Sequence, residues 1–149
     1  IFRLTKGGRL IEGVFRGATI NTPSMLCVAD YLVALGWVRE IGGVGAAVAR
    51  SSRSLQIISK FVAANDWIDF LAREESQRSS TSVCLMVDLE PLQVKEMVTL
   101  LAEEGVAYDI GAYRDAPAGL RIWCGSTVEP SDVELLMPWL EWAYETVKS

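Results

Sequence analysis

Two arginines and one Asn-Thr pair have the side chains and settings needed to hold small anions. Arg121 lies in Leu120-Arg121-Ile122-Trp123-Cys124. There a strand places Leu120, Ile122 and Cys124 on one face and Arg121 and Trp123 on the other. A guanidinium on an otherwise apolar strand needs an anion, because an unpaired desolvated charge costs several kcal/mol. The anion is either an Asp or Glu of the same fold or a ligand carboxylate or phosphate gripped by a two-point fork that lysine cannot reproduce. Arg114 sits in the Gly/Pro/Ala-rich stretch Tyr113-Arg114-Asp115-Ala116-Pro117. Beside Asp115 it either makes a solvated pair worth at most about 1 kcal/mol or converges with Arg121 on one anion. In Ile20-Asn21-Thr22-Pro23, Asn21 and Thr22 precede a helix. They either cap it or gather donors where a helix N-terminus favours phosphate.

Other chemistry is poorly supplied. The chain has no histidine, which excludes Ser-His-Asp and Cys-His-Asn triads, His-bearing zinc sites and imidazole proton relays built from this chain alone. Lys6 lies in a Gly-Gly turn, Lys95 and Lys148 on polar helix faces, and Lys60 on an apolar helix from which it snorkels. None has the desolvated or cation-flanked setting of a nucleophilic lysine. Glu74-Glu75 and Glu103-Glu104 read as solvated faces. Cys27, Cys84 and Cys124 are widely spaced among apolar neighbours. They read as buried, reduced thiols, and only Cys124 has an arginine close by in sequence. No metal site is expected.

The elements that must position these groups follow from periodicity and punctuation. Phe2-Arg3-Leu4 and Arg9-Leu10-Ile11 flank Lys6-Gly7-Gly8, a hairpin signal. After the turn cluster at 20–24, Val28, Tyr31, Leu32, Leu35 and Val38 fall on one helix face, which ends at Gly42-Gly43. A second helix over 44–65 buries Val44, Val48, Leu55, Ile58 and Val62 and turns Arg50, Arg53 and Lys60 outward. Two antiparallel strands follow near 69–72 and 82–87. Pro91 opens a third helix with the stripe Val94, Met97, Val98 and Leu101, stopped by Gly105. Short strands at 106–109 and 120–124 enclose the irregular segment 111–119. Pro130 opens a last helix through Val133, Leu136, Leu140, Ala143 and Val147, with Pro138 inside it at a cost of about 3 kcal/mol unless the helix kinks.

The expected class is α+β: an antiparallel or mixed sheet covered by helices on one face. A chain of 149 residues, half of them hydrophobic, is long enough to bury its own core. The net charge of -5 argues against a nucleic-acid partner. No apolar run approaches the about 18–20 residues of a membrane span, and no signal peptide opens the chain. Together with the free thiols, these features imply a soluble, cytoplasmic protein without a membrane partner. The start at Ile1, with no methionine, reads as a processed or truncated piece of a longer chain.

The motifs have a family likeness. Phe2-Arg-Leu-Thr-Lys-Gly-Gly-Arg-Leu-Ile-Glu-Gly, then Ile20-Asn-Thr-Pro-Ser-Met, Gly119-Leu-Arg-Ile and Val128-Glu-Pro-Ser-Asp-Val resemble, in order, the C-terminal part of the phosphoserine aminotransferases. These are pyridoxal 5'-phosphate enzymes of fold type I, class V. The resemblance implies that residues 1–23 are an extended, hairpin-like segment joining from a missing N-terminal large domain. It implies that 24–149 are the C-terminal small domain. It further implies a homodimer in which Asn21 and Thr22 reach the cofactor phosphate of the neighbouring subunit. Arg121 would hold the amino acid's α-carboxylate, and Arg114 would help bind the phosphate of the small anionic substrate. The sequence departs from many members at Tyr113, where they carry His. The Schiff-base lysine, the aspartate facing the pyridine nitrogen and the stacking aromatic would all precede Ile1. The chain alone would then be inactive, a part of an enzyme that moves an amino group between glutamate and 3-phosphohydroxypyruvate. The competing expectation is a non-enzymatic regulatory or dimerisation module, with Trp139 and Trp142 as its interface.

Overall fold

Gly7 and Gly8 both adopt positive φ, 57° and 75°, the pair of left-handed residues that a tight hairpin turn demands. They join β1 (Thr5–Lys6) to β2 (Arg9–Leu10), antiparallel with Lys6 opposite Arg9. The computed structural model describes residues 4–18 and 21–149. Phe2 and Arg3, expected in the first strand, and Ile20, at the head of the turn cluster, lie outside the described residues. The chain divides into two compact units, Ile1–Ile41 and Gly42–Ser149.

In the first unit a 3-10 turn, Glu12–Arg16, separates the hairpin from helix α1 (Met25–Glu40). Ser24 caps α1, its hydroxyl accepting from the Cys27 amide at 3.4 Å. The stripe expected to be buried is not, since no residue of α1 is buried and Tyr31 and Leu32 stand open. Met25, Leu26 and Val33 make the helix apolar beyond that stripe, and they too are exposed. Cys27, expected inside, is likewise exposed. A lone helix beside a six-residue hairpin has no second layer within its unit to bury it.

The second unit holds α2 (Gly43–Ala64), β3 (Ile68–Phe70), β4 (Ser82–Val87), α3 (Pro91–Glu103), β5 (Gly119–Trp123) and α4 (Pro130–Lys148). Its sheet runs β3-β4-β5 and is antiparallel throughout, so the chain is an α+β protein. The pleat sorts the side chains cleanly. Val83, Leu85, Ile68, Phe70, Leu120 and Ile122 point to one face and are buried with Ile58, Met97, Leu101, Leu140 and Tyr144 from the helices. The other face is open. Trp67 stacks on Tyr144 at 4.1 Å between ring centroids and meets Phe61 edge-on at 5.7 Å. Gln93 ties the start of α3 to the end of α4, accepting from the Glu90 amide and donating to the Val147 carbonyl.

Several expectations need correction. In α2, Ile58 is buried and Leu55 and Val62 partly so, but Val44 and Val48 are exposed; Ser51 and Ser54 are the other buried residues. Their hydroxyls satisfy themselves on the helix's own Val48 and Arg50 carbonyls. Arg50, expected to face out, is instead half-buried: its Nε donates to the Ser126 carbonyl at 2.7 Å and Nη2 pairs with Glu129. The strand expected at 106–109 is absent, because the amides of Val106 and Ala107 both wrap back onto the Leu101 carbonyl at the end of α3. The pairing shifts downstream, where the Arg121 amide donates to Ile110 and the Ala112 amide to Gly119. Helix α4 runs on through Pro138, which sits on its exposed side where water can serve the carbonyl left without a donor. Among the described residues, no single helix is long and apolar enough to cross a membrane.

Candidate functional site

The open face of the sheet carries the chemistry. Arg121 lies directly opposite Cys84 across the β4–β5 ladder, with Asp69, Met86 and Trp123 on the same face. Its side chain is 34% exposed, so the guanidinium meets both the sheet surface and solvent. Nη2 donates to Asp109 Oδ2 at 3.1 Å, an ion pair whose acidic partner is 91% exposed. The anion expected for Arg121 is thus partly supplied from within the chain, without either group being sealed away.

Asp109 is there because of the backbone. The segment Ile110–Ala112 pairs with the outer edge of β5 through Gly111 opposite Leu120. That pairing brings the preceding residue alongside Arg121. Asp109 itself has φ +53°, the sole non-glycine positive φ among the described residues, a conformation that Asp and Asn tolerate best after glycine. Asp109 and Arg121 form part of the wall of a cleft of about 480 Å³, with Tyr108, Ile110, Trp123 and Leu136. Arg121 also lines a much smaller cavity of about 30 Å³, bounded by Cys84, Tyr113, Ala116 and Pro117.

Gly119 makes this geometry possible. A Cβ at position 119 would stand 2.2 Å from the Leu85 carbonyl oxygen, so only glycine lets β5 lie against β4 two residues before Arg121.

The remaining candidates are placed as follows. Arg114 is exposed in a turn of the loop 111–118 and makes no ion pair among the described residues. Tyr113, its neighbour, shares the small cavity with Arg121, whereas Arg114 lines neither space. Asn21 and Thr22 are exposed in the first unit. Ser24 takes the capping role, and neither Asn21 nor Thr22 makes a side-chain hydrogen bond among the described residues. Cys124 is buried, its thiol pushed up to about 11 by burial although a backbone hydrogen bond at Val83 works the other way. At neutral pH it is therefore a thiol, not a nucleophile. No cluster of His, Cys, Asp and Glu able to hold a metal occurs among the described residues. Asp109 is the one member of the site that sequence reasoning missed.

No protein-family profile matches the chain. Individual relatives do. The phosphoserine aminotransferases of Methanosarcina mazei and Methanosarcina barkeri are each 54% identical to it over 148 residues, 99% of this chain. The chain spans about 40% of the length of those curated relatives. Among solved structures, phosphoserine aminotransferase from Bacillus circulans subsp. alkalophilus superposes with a TM-score of 0.79 at 19% identity. That match covers 89% of this chain and 36% of the other. Pyridoxal-phosphate-bound phosphoserine aminotransferase from Trichomonas vaginalis gives a TM-score of 0.75 at 14% identity, covering 86% of this chain and 36% of the other. At such identities these structures speak for the fold alone. These relatives do not favour a regulatory or dimerisation module. In sequence and in fold, this chain is related to phosphoserine aminotransferase and corresponds to a C-terminal portion of it.

Proposed function

We propose that this chain is the substrate-gripping portion of a pyridoxal-phosphate-dependent aminotransferase acting between glutamate and 3-phosphohydroxypyruvate in serine biosynthesis. The observation that carries the reading is the 54% identity to two phosphoserine aminotransferases over 99% of the chain. Residues 1–23 enter from an N-terminal large domain and 24–149 form the small domain, in a cytoplasmic homodimer. On its own the chain binds but does not turn over.

The residues present suit the cofactor's phosphate. Asn21 and Thr22 offer an amide and a hydroxyl, both exposed and neither committed to the helix cap that Ser24 provides. In the dimer they hold the phosphate of the neighbouring subunit's cofactor. The cofactor, when bound, supplies the electron sink for amino transfer. This chain's contribution is orientation. Arg121 grips the α-carboxylate with a planar two-point fork, which fixes the rest of the substrate, and Arg114 attends to the phosphate end. Binding a small substrate that is anionic at both ends favours arginines over lysines at both positions.

In the complete enzyme, Arg121→Lys should lower kcat/KM for both substrates by about 100-fold, the scale of loss from misplaced reactants. Arg114→Ala should raise KM for the phosphorylated substrate more than for glutamate. Asn21→Ala with Thr22→Ala should raise the free cofactor concentration needed for activity. Full activity of Arg121→Lys would overturn the assignment of the carboxylate. The 149-residue chain, mixed with pyridoxal phosphate and reduced with borohydride, should show no stoichiometric lysine adduct. A stoichiometric adduct accompanied by transaminase turnover would refute the proposal that the chain is inactive alone.

A further inference from the structure

We propose that Asp109 is a positioning residue that holds the Arg121 guanidinium in the orientation for accepting a ligand carboxylate, rather than a partner that neutralises it. The inference rests on the reading of Arg121 as the carboxylate holder. Its basis is the count of donors. A guanidinium has five N–H groups, and Asp109 engages Arg121 through Nη2 alone, at 3.1 Å. Nη2 carries two hydrogens. Whichever one Asp109 takes, the other still forms a complete two-point fork with either Nε–H or Nη1–H. One carboxylate on Nη2 and a second, bidentate carboxylate from a ligand can therefore be held at once.

The surroundings fit an aiming device. Arg121 has a long, flexible stem on the open face of an edge strand, and nothing but Asp109 pairs with its charge among the described residues. Asp109 is not on a wandering loop. Hydrogen bonds from Arg121 N to Ile110 O at 2.8 Å and from Ala112 N to Gly119 O at 3.0 Å fasten the segment that follows it to β5 itself. The carboxylate and the strand that bears Arg121 therefore move as one piece. The left-handed backbone at Asp109, φ +53°, turns the chain at this point and is a conformation kept more readily by Asp or Asn than by other side chains. Because the carboxylate is 91% exposed, it sacrifices little hydration to sit there, and water screens its repulsion of an incoming anion. Both residues line the same cleft of about 480 Å³, within the usual size range of small-molecule sites.

Asp109→Asn tests this, since it keeps the shape and the tolerance for positive φ and removes the charge. In the complete enzyme the variant should raise KM for glutamate about two- to fivefold, the span an exposed ion pair can supply, with kcat changed less than about twofold. Adding Asp109→Asn to Arg121→Lys should have no further effect, because the residue acts only through Arg121. In the 149-residue chain, the order parameter of the Arg121 Nε–H, measured by nuclear magnetic resonance, should fall in the variant while backbone order at 119–123 stays put. A KM that is unchanged or lowered, with Arg121→Lys still crippled, overturns the positioning role alone. An Arg121 Nε–H as ordered in the variant as in the wild type does the same. If Arg121→Lys is also harmless, the reading of Arg121 as carboxylate holder falls instead.

Discussion

Gly119→Ala is the most demanding check on how this site is built. The new methyl would lie 2.2 Å from the Leu85 carbonyl oxygen, 3.2 Å from its carbon and 3.4 Å from Met86 Cα. All three atoms belong to the backbone of the central strand β4, so no side chain can swing aside. Carbon–oxygen contacts between neighbouring strands normally rest at about 3.3–3.6 Å, so β5 must retreat by roughly 1 Å. Strands are only about 4.7–4.9 Å apart, and that retreat stretches the adjoining ladder hydrogen bonds out of range. Two such bonds at about 1 kcal/mol each, with about 1–3 kcal/mol of overpacking, give a loss of about 3–5 kcal/mol. A domain's whole stability is about 5–15 kcal/mol. Urea unfolding followed by tryptophan fluorescence reads the loss as a fall in midpoint at constant slope, about 1.5–2.5 M for a urea slope of about 2 kcal/mol/M. Gly111→Ala is the control, because its methyl would meet only Val98 methyls at 3.8 and 3.9 Å, an ordinary contact. That variant should be neutral or slightly stabilising. Gly119→Ala within about 1 kcal/mol of wild type would refute the close-approach argument, and with it the claim that this glycine seats the strand bearing Arg121.

Thiol labelling at pH 8 should proceed in the order Cys27, Cys84, Cys124, matching exposed, intermediate and buried settings; rapid labelling of Cys124 in the folded chain would contradict its burial. Cys124 also predicts an alkaline weakening. Its thiol ionises at about 11 in the fold against an ordinary 9.0, so between those values the unfolded state binds fewer protons and stability falls as pH rises, by up to about 1.4 kcal/mol per unit. Cys124→Ala should remove that component of the slope, and identical pH profiles for the two proteins would count against it. Arg50→Met should cost about 1–3 kcal/mol by releasing the turn at Ser126 and Glu129 from α2, measured by the same urea midpoint; no loss would show that the pair is ornamental.

Sequence alone exposed some of this molecule and concealed the rest for identifiable reasons. The alternation at 120–124 was legible because a strand has a strict period of two, so Leu120, Ile122 and Cys124 had to share the buried side once the strand formed. Helices α3 and α4 were legible because Pro91 and Pro130 mark their first residues and their apolar stripes sit on a sheet in the same unit. Helix α1 was not, because periodicity identifies a helix but says nothing about whether a second layer exists to cover it. Most of its apolar residues stand exposed in a unit whose other described elements are a short hairpin and a 3-10 turn. The strand expected at 106–109 failed for a local reason, the capture of two amides by the Leu101 carbonyl.

That same displacement hid Asp109. An acidic residue twelve positions before Arg121 carries no periodic signature, and had residues 106–109 formed a regular strand, its carboxylate would have pointed by alternation alone. Instead the helix end consumes Val106 and Ala107, pairing begins only at Ile110, and Asp109, the second of the two residues between them, is turned into the left-handed region. The ion pair at Arg121 is thus a consequence of how α3 ends, not of any motif around the arginine. Residues that hold a ligand directly must match its chemistry and so can be guessed from type. Residues that aim them are chosen by the path of the backbone, and become visible only when that path is known.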